Sequence, residues 1–117
     1  MRRVLLIDDN YEFSELLELS LSREYDITKC HSLKDIQNLQ SQDYYDLILT
    51  DYNLGLHSGF EITDLLRKNT GTKSSKILLI SGSIDLERIS EELEVDDYLE
   101  KPFKIKELKI KMQALLS

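Results

Sequence analysis

The residues best suited to chemistry lie where apolar runs stop. Val4–Ile7 runs straight into Asp8 and Asp9; Leu47–Leu49 is followed by Thr50-Asp51, Ile77–Ile80 by Ser81-Gly82-Ser83, and Asp97–Glu100 by Lys101-Pro102. Two adjacent carboxylates at a strand end repel each other, by roughly 3 kcal/mol for charges about 6 Å apart at an effective dielectric near 20. Something positive must offset that cost. Taken singly, each residue has an ordinary explanation: an acidic helix cap at Asp8-Asp9, a turn residue at Asp51, a cap at Ser81, a surface charge at Lys101. Taken together, three carboxylates, a hydroxyl and an ammonium form a complementary set, provided the fold brings those four strand ends to one rim.

The elements between them support that condition. Val4–Ile7, Leu47–Leu49 and Ile77–Ile80 read as strands buried on both faces, with weaker candidates at Tyr25–Cys30 and Asp97–Glu100. Helical patterns alternate with them. Asn10 can cap a helix presenting Phe13, Leu16, Leu17 and Leu21 on one face, and Ser32 with Asp35 can open a second carrying Leu33 and Ile36. Ser58 and Glu61 form an S-x-x-E capping box before Ile62, Leu65 and Leu66, and the stretch NTGTKSS after it reads as a loop. A fourth helix covers roughly Asp85–Glu94, and a fifth carries Ile105, Leu108, Met112 and Leu115. Five β-α units predict an α/β fold: a parallel sheet with right-handed crossovers and helices on both faces. In such sheets, sites form beyond the carboxyl ends of the strands, where strand order reverses. The polar strand ends all fall there.

Composition narrows the function. The chain has 117 residues, 41% hydrophobic and 32% charged, which fits one globular domain with a real core. No apolar run approaches the ~18 residues of a membrane span, and the Met1-Arg2-Arg3 start precedes too short an apolar run for a signal peptide. A lone cysteine, Cys30, cannot form an internal disulfide, so a cytoplasmic setting is expected. The net charge of −7 argues against direct contact with nucleic acid. Nucleotide cradles of the G-x-x-x-x-G-K-[ST] or G-x-G-x-x-G type are absent from the sequence.

Read as blocks, VLLIDDN, DLILTDYNLG, ILLISGS and DDYLEKPF, with their spacing, resemble the receiver domain of two-component response regulators across essentially the whole chain, 1–117. The resemblance implies a doubly wound (βα)5 fold with the flavodoxin-like strand order 2-1-3-4-5. It implies that Asp51 is the phosphoacceptor, that Asp9 is a direct ligand of Mg²⁺ with Asp8 supporting it, and that Asn53 lends its backbone carbonyl to the metal. By the same resemblance Ser81 is the switch hydroxyl, Lys101 the phosphate-pairing lysine and Tyr98 the aromatic that reorients, with a cis Lys101–Pro102 bond. The implied partner is a sensor histidine kinase or a histidine phosphotransfer protein. A homodimer through the fourth helix, fifth strand and fifth helix, using Asp96, Asp97, Lys106, Lys109 and Lys111, is a further implication.

That chemistry calls for these residue types. A carboxylate attacking a phosphoryl group brings negative charge onto negative charge, so positioning and neutralisation dominate catalysis. Mg²⁺ prefers oxygen ligands and binds through one or two carboxylates plus phosphate. The sequence departs from the family pattern where Leu54 is followed by Gly55 in place of proline, which should loosen the loop. His57 in that loop, and His31, read as surface histidines. Other classes make different demands. A phosphatase working through a phosphoaspartate should carry D-x-D, which Asp51-Tyr52-Asn53 does not satisfy, and it would turn over phosphomonoesters. A flavin carrier of the same topology would not need the aspartates and would be coloured. A degenerate receiver that only binds partners should lack part of the polar set.

Overall fold

The apolar runs become the middle of a sheet. In a computed structural model, which describes residues 1–82 and 85–117, β1 (Arg2–Ile7), β2 (Tyr25–Cys30), β3 (Leu47–Asp51), β6 (Lys76–Ser81) and β7 (Asp97–Glu100) form one 5-stranded sheet in the order β2-β1-β3-β6-β7. All four pairings are parallel, with Leu5 opposite Ile48 and Thr28, and Leu49 opposite Leu78. Counting only the strands of this sheet, the order is the expected 2-1-3-4-5. The order reverses beside β1, so the switch point lies between the carboxyl ends of β1 and β3.

Helices α1 (Tyr11–Leu21), α2 (Leu33–Gln37), α3 (Gly59–Lys68), α4 (Leu86–Leu93) and α5 (Ile105–Leu116) cover both faces. The strand period of two divides the core between them. Val4 and Leu6 join Leu17, Leu21, Leu108 and Met112 under α1 and α5, whereas Leu5 and Ile7 join Ile36, Ile62 and Leu66 under α2 and α3. A third cluster, Leu79, Leu86, Ile89 and Leu93, seats α4, with Tyr98 packed against it. Each fully buried Leu or Ile contributes about 1.5–3 kcal/mol, so the inner strands anchor everything attached to them.

Local details differ from expectation in three places. The side chain of Asn10 caps α1 by accepting from the Phe13 N–H at 3.1 Å, but the inward face is Ser14, Leu17 and Leu21, and Leu16 is 56% exposed. Ser32 caps α2 as expected, accepting from the Asp35 N–H at 3.1 Å. At α3, however, the Ser58 side chain makes no capping bond, while Glu61 accepts from the Ser58 N–H and takes the His57 ring at 2.6 Å. The loop after Asp51, where the proline is missing, places a glycine at the turn. It forms a hairpin of β4 (Asn53–Leu54) and β5 (His57–Ser58), with Gly55 at φ +60° in the turn and Leu54 buried at 1% exposure.

The stretch from Asn69 to Ser75 packs closely at the opposite end of the sheet. Thr72 is buried and donates to the Leu66 carbonyl at 2.6 Å, and Ser75 donates to the Tyr45 carbonyl at 2.6 Å. A Cβ on Gly71 would stand 1.8 Å from the Asp43 carbonyl oxygen, so only glycine fits this approach.

Candidate functional site

The carboxyl ends of β1, β3 and β7 deliver Asp8, Asp51 and Lys101 to one spot. The Lys101 ammonium lies 3.3 Å from Asp8 Oδ2 and 3.1 Å from Asp51 Oδ2, bridging carboxylates that would otherwise repel. It also sits 4.3 Å from the centre of the Phe13 ring, a cation–π contact, and Phe13 meets Phe103 edge-on. The lysine backbone is fixed as well: its N–H donates to the Ser81 carbonyl at 2.9 Å, and the Lys101–Pro102 bond is cis.

Asp8 is buried at 2% exposure. Its carboxylate accepts from the Asn10 N–H at 2.9 Å, while its own N–H donates to the Cys30 carbonyl at 3.0 Å. Burial raises the Asp8 pKa, and the nearby Asp51 charge adds to the rise, against the lowering pull of the Asn10 N–H and Lys101. Burial works against the charge on Lys101, yet Asp51 and Asp8 together outweigh it and hold the ammonium above its ordinary pKa. The pocket therefore keeps its cation and bears a cost for its innermost anion.

Asp9 has a different partner. It is exposed on the loop after β1, and its Oδ2 accepts from the Gly55 N–H at 2.9 Å. Asn53 is exposed at the start of β4, with its N–H 3.5 Å from Asp51 Oδ1. Ser81 is buried at the end of β6. Tyr98 is half-buried on β7, packed on the α4 cluster, with the Lys111 ammonium 5.3 Å from its ring centre. Ser83, which the sequence reading placed at the same rim, lies outside the described residues.

The oxygen-rich donor set fits Mg²⁺ in kind, since hard cations take carboxylate and carbonyl oxygens. Among the described residues, however, no three His, Cys, Asp or Glu side chains already enclose a metal position. Lys101 stands between two of the acids and Gly55 holds the third.

Sequence reasoning missed one neighbour. His31, expected on the surface, is half-buried: its Nδ1 donates to the Asp8 carbonyl at 3.0 Å, and its ring stacks on Tyr11 with centroids 3.9 Å apart. Its place directly after β2, the strand paired with β1, was the available signal. His57 keeps a side chain 42% exposed and pairs with Glu61, whose pKa it lowers. Cys30 is inert: burial, with the Asp35 charge adding, pushes its thiol up to about 12.

The raised pKa of Asp8 makes a stability prediction. A carboxyl whose folded pKa lies above its unfolded value stabilises the fold while protonated, and that contribution is lost as pH rises from the ordinary value of 3.8 through the folded pKa. At neutral pH the cost is fully present. Asp8→Asn, which keeps an acceptor for the Asn10 N–H, raises the metal-free Tm at pH 7 by a few degrees, and the gain shrinks as pH falls toward 4. Melting curves across that range check it; a lower Tm at pH 7 contradicts it.

A family model for the response regulator receiver domain matches residues 4–113. The chain is 33% identical over 116 residues to the transcriptional regulatory protein CiaR of Streptococcus pneumoniae, which spans 99% of this chain and 52% of that protein. It thus covers about half the length of the curated relatives it matches. Among solved structures, the chemotaxis response regulator CheY4 of Vibrio cholerae superposes with a TM-score of 0.86 over 99% of both chains at 22% identity, a likeness of fold. The response regulator protein TrrA of Thermotoga maritima, solved in complex with Mg²⁺ and BeF, has a TM-score of 0.83 at 29% identity, covering 99% of this chain and 100% of that one.

Proposed function

The chain belongs to the response regulator receiver domain family of two-component signalling, and from that premise we propose that Asp51 accepts a phosphoryl group from a phosphohistidine. The donor is the phosphohistidine of a sensor kinase or histidine phosphotransfer protein, and the unit acting is one receiver domain across 1–117. The observation that carries this is the Lys101 ammonium 3.1 Å from Asp51 Oδ2, at the mouth of the sheet where strand order reverses.

In the transfer, an Asp51 carboxylate oxygen forms a bond to phosphorus as the P–N bond to the donor imidazole breaks, and the released nitrogen takes up a proton. Asp9, Asp51 and the Asn53 carbonyl would hold Mg²⁺, with Asp8 behind them, and a bound ion would supply positive charge against the phosphoryl oxygens. Lys101 supplies the opposing positive charge and moves with the phosphoryl oxygens from its present seat. Ser81, one pairing away across β6 and β7, donates its hydroxyl to a phosphoryl oxygen, and Tyr98 reorients behind it. Water attacking phosphorus later returns the carboxylate and inorganic phosphate, which resets the domain. A brief incubation with acetyl phosphate and Mg²⁺, followed by intact-mass measurement, tests the reading: one added phosphoryl group is expected, and none overturns it.

Several charges of the α4–β7–α5 face are engaged within one chain. Lys111 pairs with Asp97 at 3.1 Å, Lys109 with Glu24 at 2.8 Å, and Asp96 accepts from the Ile77 N–H at 2.8 Å. A two-fold dimer through this face exchanges the Asp97–Lys111 pair for its equivalents across the axis, each made twice. Beryllofluoride with Mg²⁺ then shifts the sedimenting species from monomer toward dimer, and Asp97→Lys opposes the shift. A monomer at high protein concentration with beryllofluoride bound leaves the face to a different partner.

A further inference from the structure

We propose that the backbone N–H of Gly55 is a positioning group for the Asp9 carboxylate, so that the β4–β5 hairpin sets how tightly the site holds a divalent cation. The inference rests on the Mg²⁺ reading above and adds a residue to it. Asp9 stands on an exposed loop, where a carboxylate side chain samples several rotamers unless something holds it. What holds it is the Gly55 N–H, 2.9 Å from Oδ2, which fixes the plane of the group and leaves Oδ1 for another partner.

The donor is itself held in place. Gly55 has φ +60°, a conformation in which most L-residues are strained, and a Cβ built there meets nothing within 4 Å. Glycine is thus favoured by the backbone angle and not by crowding. The flanking pairs, Leu54 with His57 and Asn53 with Ser58, brace the turn. Leu54 anchors it in the same buried cluster as Ile7, Ile36 and Ile48. The bond runs from a core-anchored hairpin to an exposed ligand, which is the direction positioning requires.

The same hairpin carries the Asn53 carbonyl and brings the Asn53 N–H to Asp51. Candidate ligands from the β1 loop, the β3 end and the hairpin are therefore tied together through residues 53–55 before any cation arrives. Partners that orient metal ligands typically matter 10–100-fold in affinity.

The test compares Mg²⁺ dissociation constants by calorimetry for the wild type, Gly55→Pro and Gly55→Asn, with metal-free melting to verify each fold. Proline has no N–H and cannot reach φ +60°, whereas asparagine tolerates positive φ and keeps the donor. Gly55→Pro is expected to weaken Mg²⁺ binding by about tenfold or more, and Gly55→Asn to stay close to the wild type. A metal-free measurement accompanies it: amide exchange at Gly55 accelerates in Asp9→Ala, while that at Leu54 does not change. Equal Mg²⁺ affinity in Gly55→Pro and the wild type, equal weakening in both variants, or an exchange rate indifferent to Asp9 overturns the positioning role while leaving the Mg²⁺ reading intact. A wild type that binds no Mg²⁺ at millimolar concentration overturns that reading as well.

Discussion

Asp51→Asn abolishes the phosphoryl adduct that acetyl phosphate and Mg²⁺ form with the wild type. The effect is complete rather than graded, because a carboxamide oxygen is a poor nucleophile and no neighbouring group replaces it. The substitution is nearly isosteric, and Lys101 keeps Asp8 at 3.3 Å, so the folded rim survives. Intact-mass spectra with and without donor read the result directly. Ser81→Ala provides the contrast: the adduct still forms, but the signal of Tyr98 in an NMR spectrum no longer responds to it. Label transferred to His57 in the Asp51→Asn variant refutes the assignment. That ring is already engaged by Glu61 at 2.6 Å and lies in the hairpin, not at a strand end of the main sheet.

Gly71→Ala has the largest expected effect on stability. Its methyl group would lie 1.8 Å from the Asp43 carbonyl oxygen and 3.0 Å from the Asp43 carbonyl carbon, and both are backbone atoms that cannot swing aside. The two segments must separate by more than an ångström, which disturbs the buried bonds of Thr72 and Ser75 beside them. Overpacking of this kind costs about 3 kcal/mol, roughly 10 °C in a domain of this size. The strain falls at the amino end of β6, whereas the polar rim lies at the carboxyl ends. Phosphorylation of Asp51 at low temperature is therefore unchanged while Tm drops, and a variant that melts like the wild type contradicts the packing argument.

How much could be read in advance depended on whether a feature was periodic or tertiary. β1, β3 and β6 were visible because strands buried on both faces are apolar at every position, and the five-fold alternation with helices then fixed the sheet type. β4 and β5, at two residues each, carry no period to detect, and the turn between them uses glycine's positive φ. On α1, an apolar residue count favoured Leu16 for the core, but the helix is rotated so that small Ser14 fits against the sheet. The Ser58–Glu61 spacing matched a capping box, of which only the glutamate half forms, with His57 as a further partner of Glu61. At the rim, residue types singled out candidate groups, and the parallel register brings Asp8, Asp51 and Lys101 together. Their direct partners, Gly55 on Asp9 and His31 on the Asp8 carbonyl, are backbone contacts that no side-chain pattern encodes.

The seat of Lys101 has a consequence for timing. A free lysine side chain loses up to about 2 kcal/mol of rotamer entropy when it is ordered. Here two carboxylates and the Phe13 ring have already selected its conformation. On the proposed phosphoacceptor reading, the encounter with a phosphoryl group then has only to redirect a side chain already extended into place. The waiting state is thus narrow in conformation although it is rich in charge, and a small donor present for one brief collision meets a lysine that does not have to be searched for.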